Sequence, residues 1–403
     1  MCGIMTSAKL KTNGEWLVWA RKTAHYKTEK IAKRISKTSE TIKKWENNGE
    51  ISFNNLSKLA HEYQRPTTIF FNDDKPVYEN EPPNFRTEGS EKMTITPRIA
   101  FEIRKARSRR ETLLNLEEES DDFEIPLFPF KNFQVEDINK IPELLSDFLG
   151  YKPRSRASIG LDHWIDKVES LGLLVFQFYD IKPSELRGYA LYYDKLPIIG
   201  INSKEIDNAK KFTFFHELAH IIMKKEGLSN INQYSFVDKE EFLCNKIAAE
   251  TLLPNKLFSN YINENTSYSK FSAEDIKRLS KIFHVSQSVI VRKAITLNYI
   301  TKKEYDKRIN EFKSYIAVPK TLKSSKIYGK KKRLESDKPD HKKGIHNKAM
   351  ISFRKNGKYF TKFLLNAYEE EIISDIDVAL ELGVSLEIVR EMKKILGKEE
   401  FNV

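Results

Sequence analysis

Apolar positions recur at helical spacing through the first 72 residues: Trp16, Leu17 and Ala20; Ile31, Ala32 and Ile35; Ile42 and Trp45; Leu56, Leu59, Ala60 and Tyr63. This spacing predicts four or five short helices, with Thr28 capping the second, Thr38 or Ser39 the third, and Asn48-Gly49 breaking the chain before the next. Pro76, Pro82, Pro83 and Pro97 keep 73–97 from forming a regular helix, so a linker or extended arm is expected there. From Arg98 to Glu119 the helical pattern resumes, basic in its first half and acidic at its end, and Leu144 to Phe148 and Ile159 to Leu171 read as two further amphipathic helices. The period then changes. Leu173–Phe178, Gly188–Tyr193 and Pro197–Ile201 are β-rich runs bounded by Gly, Pro and Asp, which predicts a small sheet of about three strands. Helices return at Lys210–Lys225, Lys239–Leu253 and Ala273–Leu297.

Beyond Pro319 a lysine-rich stretch to Lys343 reads as a linker, and Asn356-Gly357, between Ile351–Phe353 and Tyr359–Phe360, reads as a hairpin turn. Helices near Thr361–Ala367 and between Ile376 and Leu396 close the chain. Val285-Ser286 and Val384-Ser385 each fall between helices, as in turn-helix units. The expected fold class is α+β and helix-rich, with one short sheet.

Composition narrows the function classes. With 403 residues, 40% hydrophobic and 31% charged, the chain has room for two or three domains and is not disordered throughout. No run approaches the ~18 apolar residues of a membrane span, and the N-terminus lacks the apolar stretch of a signal peptide, so a cytoplasmic protein without a membrane partner is expected. Cys2 and Cys244 are the only cysteines, which excludes a disulfide framework and a four-cysteine zinc module. Any metal has to use His and carboxylates. The formal net charge is +12, and it is clustered: residues 1–75 hold 14 basic against 8 acidic residues, and 320–343 hold 10 against 3. Clusters of this kind suit polyanions, the plainer alternative being solvating lysines.

The segment Phe212-Thr-Phe-Phe-His216-Glu217-Leu218-Ala219-His220 is the most informative in the chain. Residues four apart share a helix face, so His216 and His220 can converge on one Zn²⁺ while Glu217 reaches the attacking water, an arrangement for metal-assisted hydrolysis. The alternative, two core histidines, would bury imidazoles without partners among Phe and Ile. A third ligand is expected from Lys239–Pro254, where Glu241, Asn245 and Ala248 fall on one face. Glu241 is the candidate and Glu240 its nearest rival. Glu250 reads as a solvated or packing-edge residue, Asn245 as a group that orients a ligand, and Cys244 as core.

These two segments, preceded by Pro197-Ile-Ile-Gly-Ile-Asn202, resemble the ImmA/IrrE family of metallopeptidases, gluzincin-like enzymes encoded on mobile elements and in stress-response loci. The resemblance covers roughly Ile159 to Tyr305. It implies Zn²⁺ bound by His216, His220 and Glu241, with Glu217 as the catalytic carboxylate. The chain has Ala219 where members commonly have Gly, and Ile247 where Phe is common. The N-terminal spacing, notably Thr41-Ile42-Lys43-Lys44-Trp45-Glu46-Asn-Asn-Gly49, is similar to XRE-type (lambda-repressor-like) helix-turn-helix domains. That likeness makes Ser39–Trp45 the recognition helix. Lys37, Lys43 and Lys44 would then reach phosphates, and Ser39, Glu40 and Thr41 would sit at the end that meets base edges. Ser36-Lys37 stands where members have a glycine at the turn.

The resulting expectation is an all-α helix-turn-helix bundle at 1–72, a linker at 73–97, a gluzincin-like metallopeptidase domain at 98–318 with its core at 159–305, a basic linker at 319–343 and a small, mostly helical region at 344–403. The expected function is a zinc endopeptidase that cleaves a repressor or antitoxin and binds duplex DNA through 1–72; a homodimer is compatible with it. The competing expectation is a DNA-binding regulator whose peptidase-like half only binds a partner. The substrate is expected as a strand along the sheet. Tyr189, Tyr192 and Tyr193 are candidate oxyanion stabilisers only by their nearness in the chain.

Overall fold

The computed structural model describes residues 9–76, 95–120, 123–134, 137–150, 160–224, 227–229, 239–265, 268, 271–317 and 341–400. Most of the expected linkers at 73–97 and 319–343 therefore lie outside the described residues. The chain forms two compact units, Met1–Arg107 and Ser108–Val403, both dominated by helices.

The first unit holds strand β1 (Lys9–Lys11), α1 (Gly14–Thr23), α2 (Thr28–Arg34), α3 (Ser39–Asn48), β2 (Glu50–Ser52), α4 (Phe53–Tyr63) and the first half of α5 (Pro97–Glu119). Asn13 caps α1 by accepting Glu15 N at 3.0 Å, and Thr38 caps α3 by accepting Thr41 N at 3.2 Å, each satisfying an amide the helix leaves open. The apolar positions read from the sequence, from Leu17 to Tyr63, form one buried cluster that also takes in Phe70. Ser36, in the turn between α2 and α3, takes the left-handed conformation (φ 57°) without being glycine. Arg21 donates through Nε and Nη2 to the Glu46 carboxylate at 2.6 and 3.1 Å, tying α1 to α3.

In the second unit α6 (Ile141–Phe148) and α7 (Leu161–Glu169) precede a mixed sheet of β3 (Leu174–Phe178), β4 (Gly188–Leu191), β5 (Ile198–Asn202) and β6 (Gly227–Ser229). Its strand order is β3-β5-β4-β6, with β3 parallel to β5 and the other pairs antiparallel. Beside the sheet run α8 (Asp207–Ile222) and then α9 (Lys239–Leu252). Lys211 through Ile222 are all buried, because α8 meets β4 and β5 as well as α9, and a helix covered on several sides is apolar nearly all round. The remaining helices are α10 (Asn255–Glu264), α11 (Ala273–Ile282), α12 (Gln287–Thr296), α13 (Lys302–Ala317), α14 (His341–Asn356), α15 (Lys358–Glu369), α16 (Asp375–Leu382) and α17 (Leu386–Glu400).

The first unit is not all-α, because β1 and β2 pair antiparallel with Leu10 opposite Ile51 and give the chain a second sheet. Two further expectations change. The mixed sheet has a fourth strand, β6, supplied from beyond α8. The hairpin expected at Asn356-Gly357 is instead a corner between α14 and α15: Ala349, Ser352, Phe353 and Asn356 are buried at helical spacing, and that period overrides the local Asn-Gly signal. Gly357 has φ 81°, and a Cβ there would come within 3.0 Å of Glu169 Oε1 and 3.1 Å of Val175 O. Only glycine lets the corner approach β3 so closely.

Candidate metal centre

His216, Glu217 and His220 stand on α8, and Glu241 is in the first turn of α9. Both histidines and Glu217 are buried, while the Glu241 side chain keeps 18% exposure and opens the cluster to one side. The Nε2 atoms of His216 and His220 are 3.2 Å apart, and the Glu241 carboxylate reaches them with Oε2 at 3.3 Å and Oε1 at 3.2 Å. Donors bonded to a tetrahedral ion at about 2.0–2.1 Å stand about 3.3–3.4 Å from one another. The two Nε2 atoms and the carboxylate oxygen nearest each ring stand at about that spacing, so the residues fit a divalent cation. The two Nδ1 atoms are buried without hydrogen-bond partners among the described residues, so each ring is aimed through Nε2. Phe212 stacks on the His216 ring at 6.2 Å between centroids and restricts its tilt.

Burial pulls His216 below its ordinary pKa, against the attraction of Glu241, so it rests as neutral imidazole. Burial also opposes a charge on His220, but Cys244 and Glu241 outweigh it and the net direction is well upward. At Glu241 burial raises the pKa and the two imidazoles lower it by more, holding the carboxyl well below the usual carboxylate range. Neutral His216 and ionised Glu241 are already in ligand form, and His220 releases a proton when it ligates.

Glu217 is placed by the sheet. A Cβ at Gly188 on β4 would stand 2.7 Å from Glu217 Oε1, 2.5 Å from Thr213 Cγ2 and 2.9 Å from Gly200 O. The missing side chain at Gly188 thus makes room for the carboxylate. Tyr189, the next residue on β4, points to the opposite face, where it packs over Gly200 and stacks on Phe178 at 5.8 Å. Tyr192 hydrogen-bonds Asp194, and Tyr193 lies 3.9 Å beneath the Arg110 guanidinium.

Cys244 is buried, the core place expected of it, and lies near enough to His220 to act on its charge; its place one turn after Glu241 was the available signal. Glu250, expected as a solvated or packing-edge residue, takes the packing-edge place. It pairs with the buried ammonium of Lys293 and accepts Asn255 N at 2.8 Å, joining α9 to α12 and α10. In the first unit Lys37, Glu40, Lys43 and Lys44 are exposed, and Ser39 and Thr41 half-buried, on or just before α3, whose Ile42 and Trp45 turn inward.

The family model described as Peptidase M78, IrrE N-terminal-like domain, matches residues 169–294. That region, which contains every member of the cluster, is thus similar to a metallopeptidase-like module of the ImmA/IrrE family, whose members imply a metal cofactor. No curated protein and no solved structure matches the chain. No helix among the described residues is long and apolar enough to cross a membrane.

Proposed function

We propose that the chain is a cytoplasmic zinc endopeptidase that cleaves a regulatory protein of the repressor or antitoxin type, and that residues 1–72 are a DNA-binding helix-turn-helix module. The carrying observation is the convergence of His216, His220 and Glu241 at 3.2–3.3 Å beside the buried Glu217. In this reading those three residues hold Zn²⁺, whose Lewis acidity would polarise the scissile carbonyl and acidify the attacking water. Glu217 takes the water's proton and passes it to the leaving amine. Gly188 fixes where that carboxylate stands, and the Phe212 ring holds His216 in its productive tilt.

Substrate pairing needs one revision. The ladder edge of β4, where an extended peptide would lie beside Glu217, is taken by β6: Gly188 faces Ser229, and Ala190 faces Gly227. An incoming strand must pair with β6 or displace it. This occupied edge favours a second reading, in which the peptidase-like unit only binds a partner. Incubating wild type and Glu217→Gln with proteins encoded beside it, followed by intact-mass analysis, separates the two. Cleavage by wild type alone supports the peptidase; Glu217→Gln cutting at the wild-type rate removes Glu217 from the mechanism; no cleavage with zinc fully bound favours the partner-binding regulator.

The DNA-binding reading rests on the exposed Lys37, Lys43 and Lys44 around a capped α3, with Ser39, Glu40 and Thr41 at its leading end. Affinity for duplex DNA should fall steeply with salt as phosphate counterions are released, and Lys43→Glu with Lys44→Glu should weaken it. Fluorescence anisotropy of the full chain showing no salt-sensitive binding would leave α3 as a protein-docking helix.

A further inference from the structure

The C-terminal helices carry an exposed apolar face that the metal centre does not use. Ile376 (58% exposed) and Leu380 (73%) stand one turn apart on α16, opposite its buried Val378 and Leu382, and Leu386 (36%) opens α17 three residues after α16 ends. Acid surrounds this face. Between Glu369 and Glu391 there are eight acidic residues and one basic, Arg390, and Glu369, Glu370, Glu371, Asp377, Glu381 and Glu387 are all exposed. The turn at Gly383 joins two helices much as Ser36 does in α2–α3, but this charge repels phosphate. Nucleic acid is therefore the wrong occupant, and a lysine-rich amphipathic segment is the right one.

Such a segment leaves the fold beside this face. His346 Nδ1 lies 3.2 Å from Glu391 Oε1, and further along both helices Met350 and Phe353 line one cavity with Ile395 and Leu396, so α14 and α17 run in the same direction. The first turn of α14, at His341, is thus level with the first turn of α17, at Leu386 and Glu387. The stretch that leads into α14, Lys320 to Asp340, has eight basic and three acidic residues, with Leu322, Ile327, Tyr328 and Leu334 spaced among them. Its net charge of +5 opposes the −7 of Glu369–Glu391, of which Glu369 already pairs with Lys393 at 3.6 Å. The 14 residues from Ile327 to His341 span up to about 46 Å when extended, ample to cross two helices. A tether this short holds the segment at an effective concentration of order millimolar, so modest contacts suffice.

We propose that residues 320–340 dock on the acidic, apolar face of α16 and the start of α17, lysines against the carboxylates and Ile327 and Leu334 against Ile376 and Leu380. Docking removes the most basic run of the chain, Lys330–Arg333, from competition for polyanions. The test is limited trypsin digestion of the full chain, with cleavage within Lys330–Arg333 followed by intact mass. Wild type at low ionic strength should be cut at least about tenfold more slowly than at about 0.5 M salt, where charge attraction is screened. Ile376→Ser with Leu380→Ser, and separately Glu370→Lys with Glu381→Lys, should be cut at low salt as fast as wild type is at high salt. All four side chains are exposed, and an unchanged thermal midpoint checks the fold. Equal cleavage of wild type and both variants overturns the proposal. So does protection that fades on dilution, which assigns the face to a second copy, or protection that appears only when another basic protein is added.

Discussion

Two buried polar clusters in the second unit make opposite use of the same kinds of group. In one, Arg109 donates to Lys355 O at 3.0 Å and to Asn356 Oδ1, and its guanidinium lies 4.8 Å over Phe176. Asn356 donates onward to Ser352 Oγ at 2.9 Å and Leu382 O at 3.0 Å, and nearby Glu169 accepts Tyr359 N at 3.2 Å. There donors meet acceptors, and the network fastens α14 and α15 to the rest of the unit. In the other, His216, His220 and Glu241 aim three electron-pair donors at one point and include no lysine or arginine. A cluster that closes on itself stabilises a fold, whereas one that converges without its own cation is shaped for something that arrives later.

The largest expected effect breaks the second cluster alone. His216→Ala with His220→Ala should reduce bound zinc from about one per chain to none by elemental analysis while far-ultraviolet circular dichroism is unchanged, and Glu241→Ala should do the same. The first cluster should respond the other way. Arg109→Met removes a buried cation from its acceptors and should cost about 3 kcal/mol in urea unfolding, with zinc stoichiometry retained. Zinc at a hundredfold excess over its dissociation constant should stabilise wild type by about 2.7 kcal/mol, and the double histidine variant not at all.

A further step is read with pH. Burial raises the Glu169 carboxyl to about 8 from 4.5, against the backbone amides it accepts. The folded state therefore holds a proton that the unfolded state has lost, so stability is full below the unfolded value and falls as pH rises from about 4.5 to about 8, by about 1.4 kcal/mol per pH unit at its steepest. Glu169→Gln should flatten that slope in thermal melts between these limits.

How much of this was legible in the sequence depends on the range of the contact. His216 and His220 share a helix face by spacing alone, and Glu241 lies on a face shared with Asn245 and Ala248, so the whole cluster could be named before the fold was known. Gly188 could not be, because its meaning lies in an approach to Glu217 from another element. Strand β6 was missed because three residues with little apolar pattern are made a strand by pairing with β4. The partner of Glu250 could not be named either, because Lys293 lies 43 residues further on. The Asn356-Gly357 corner was misread because a two-residue signal was weighed above the helical period around it.

The spacing of the two clusters along the chain also sets an order in time. His216 and Glu241 are 25 residues apart, and the helices that carry them pack directly on each other, so the loop between them closes at little entropic cost. Arg109 and Asn356 are separated by 247 residues. During synthesis the three metal-directed side chains can come together while α14 and α15 are still unmade, and a chain stalled after α9 could already capture a cation. The metal-directed cluster is then a local, early-forming part of the unit, and the far-reaching arginine network its final latch.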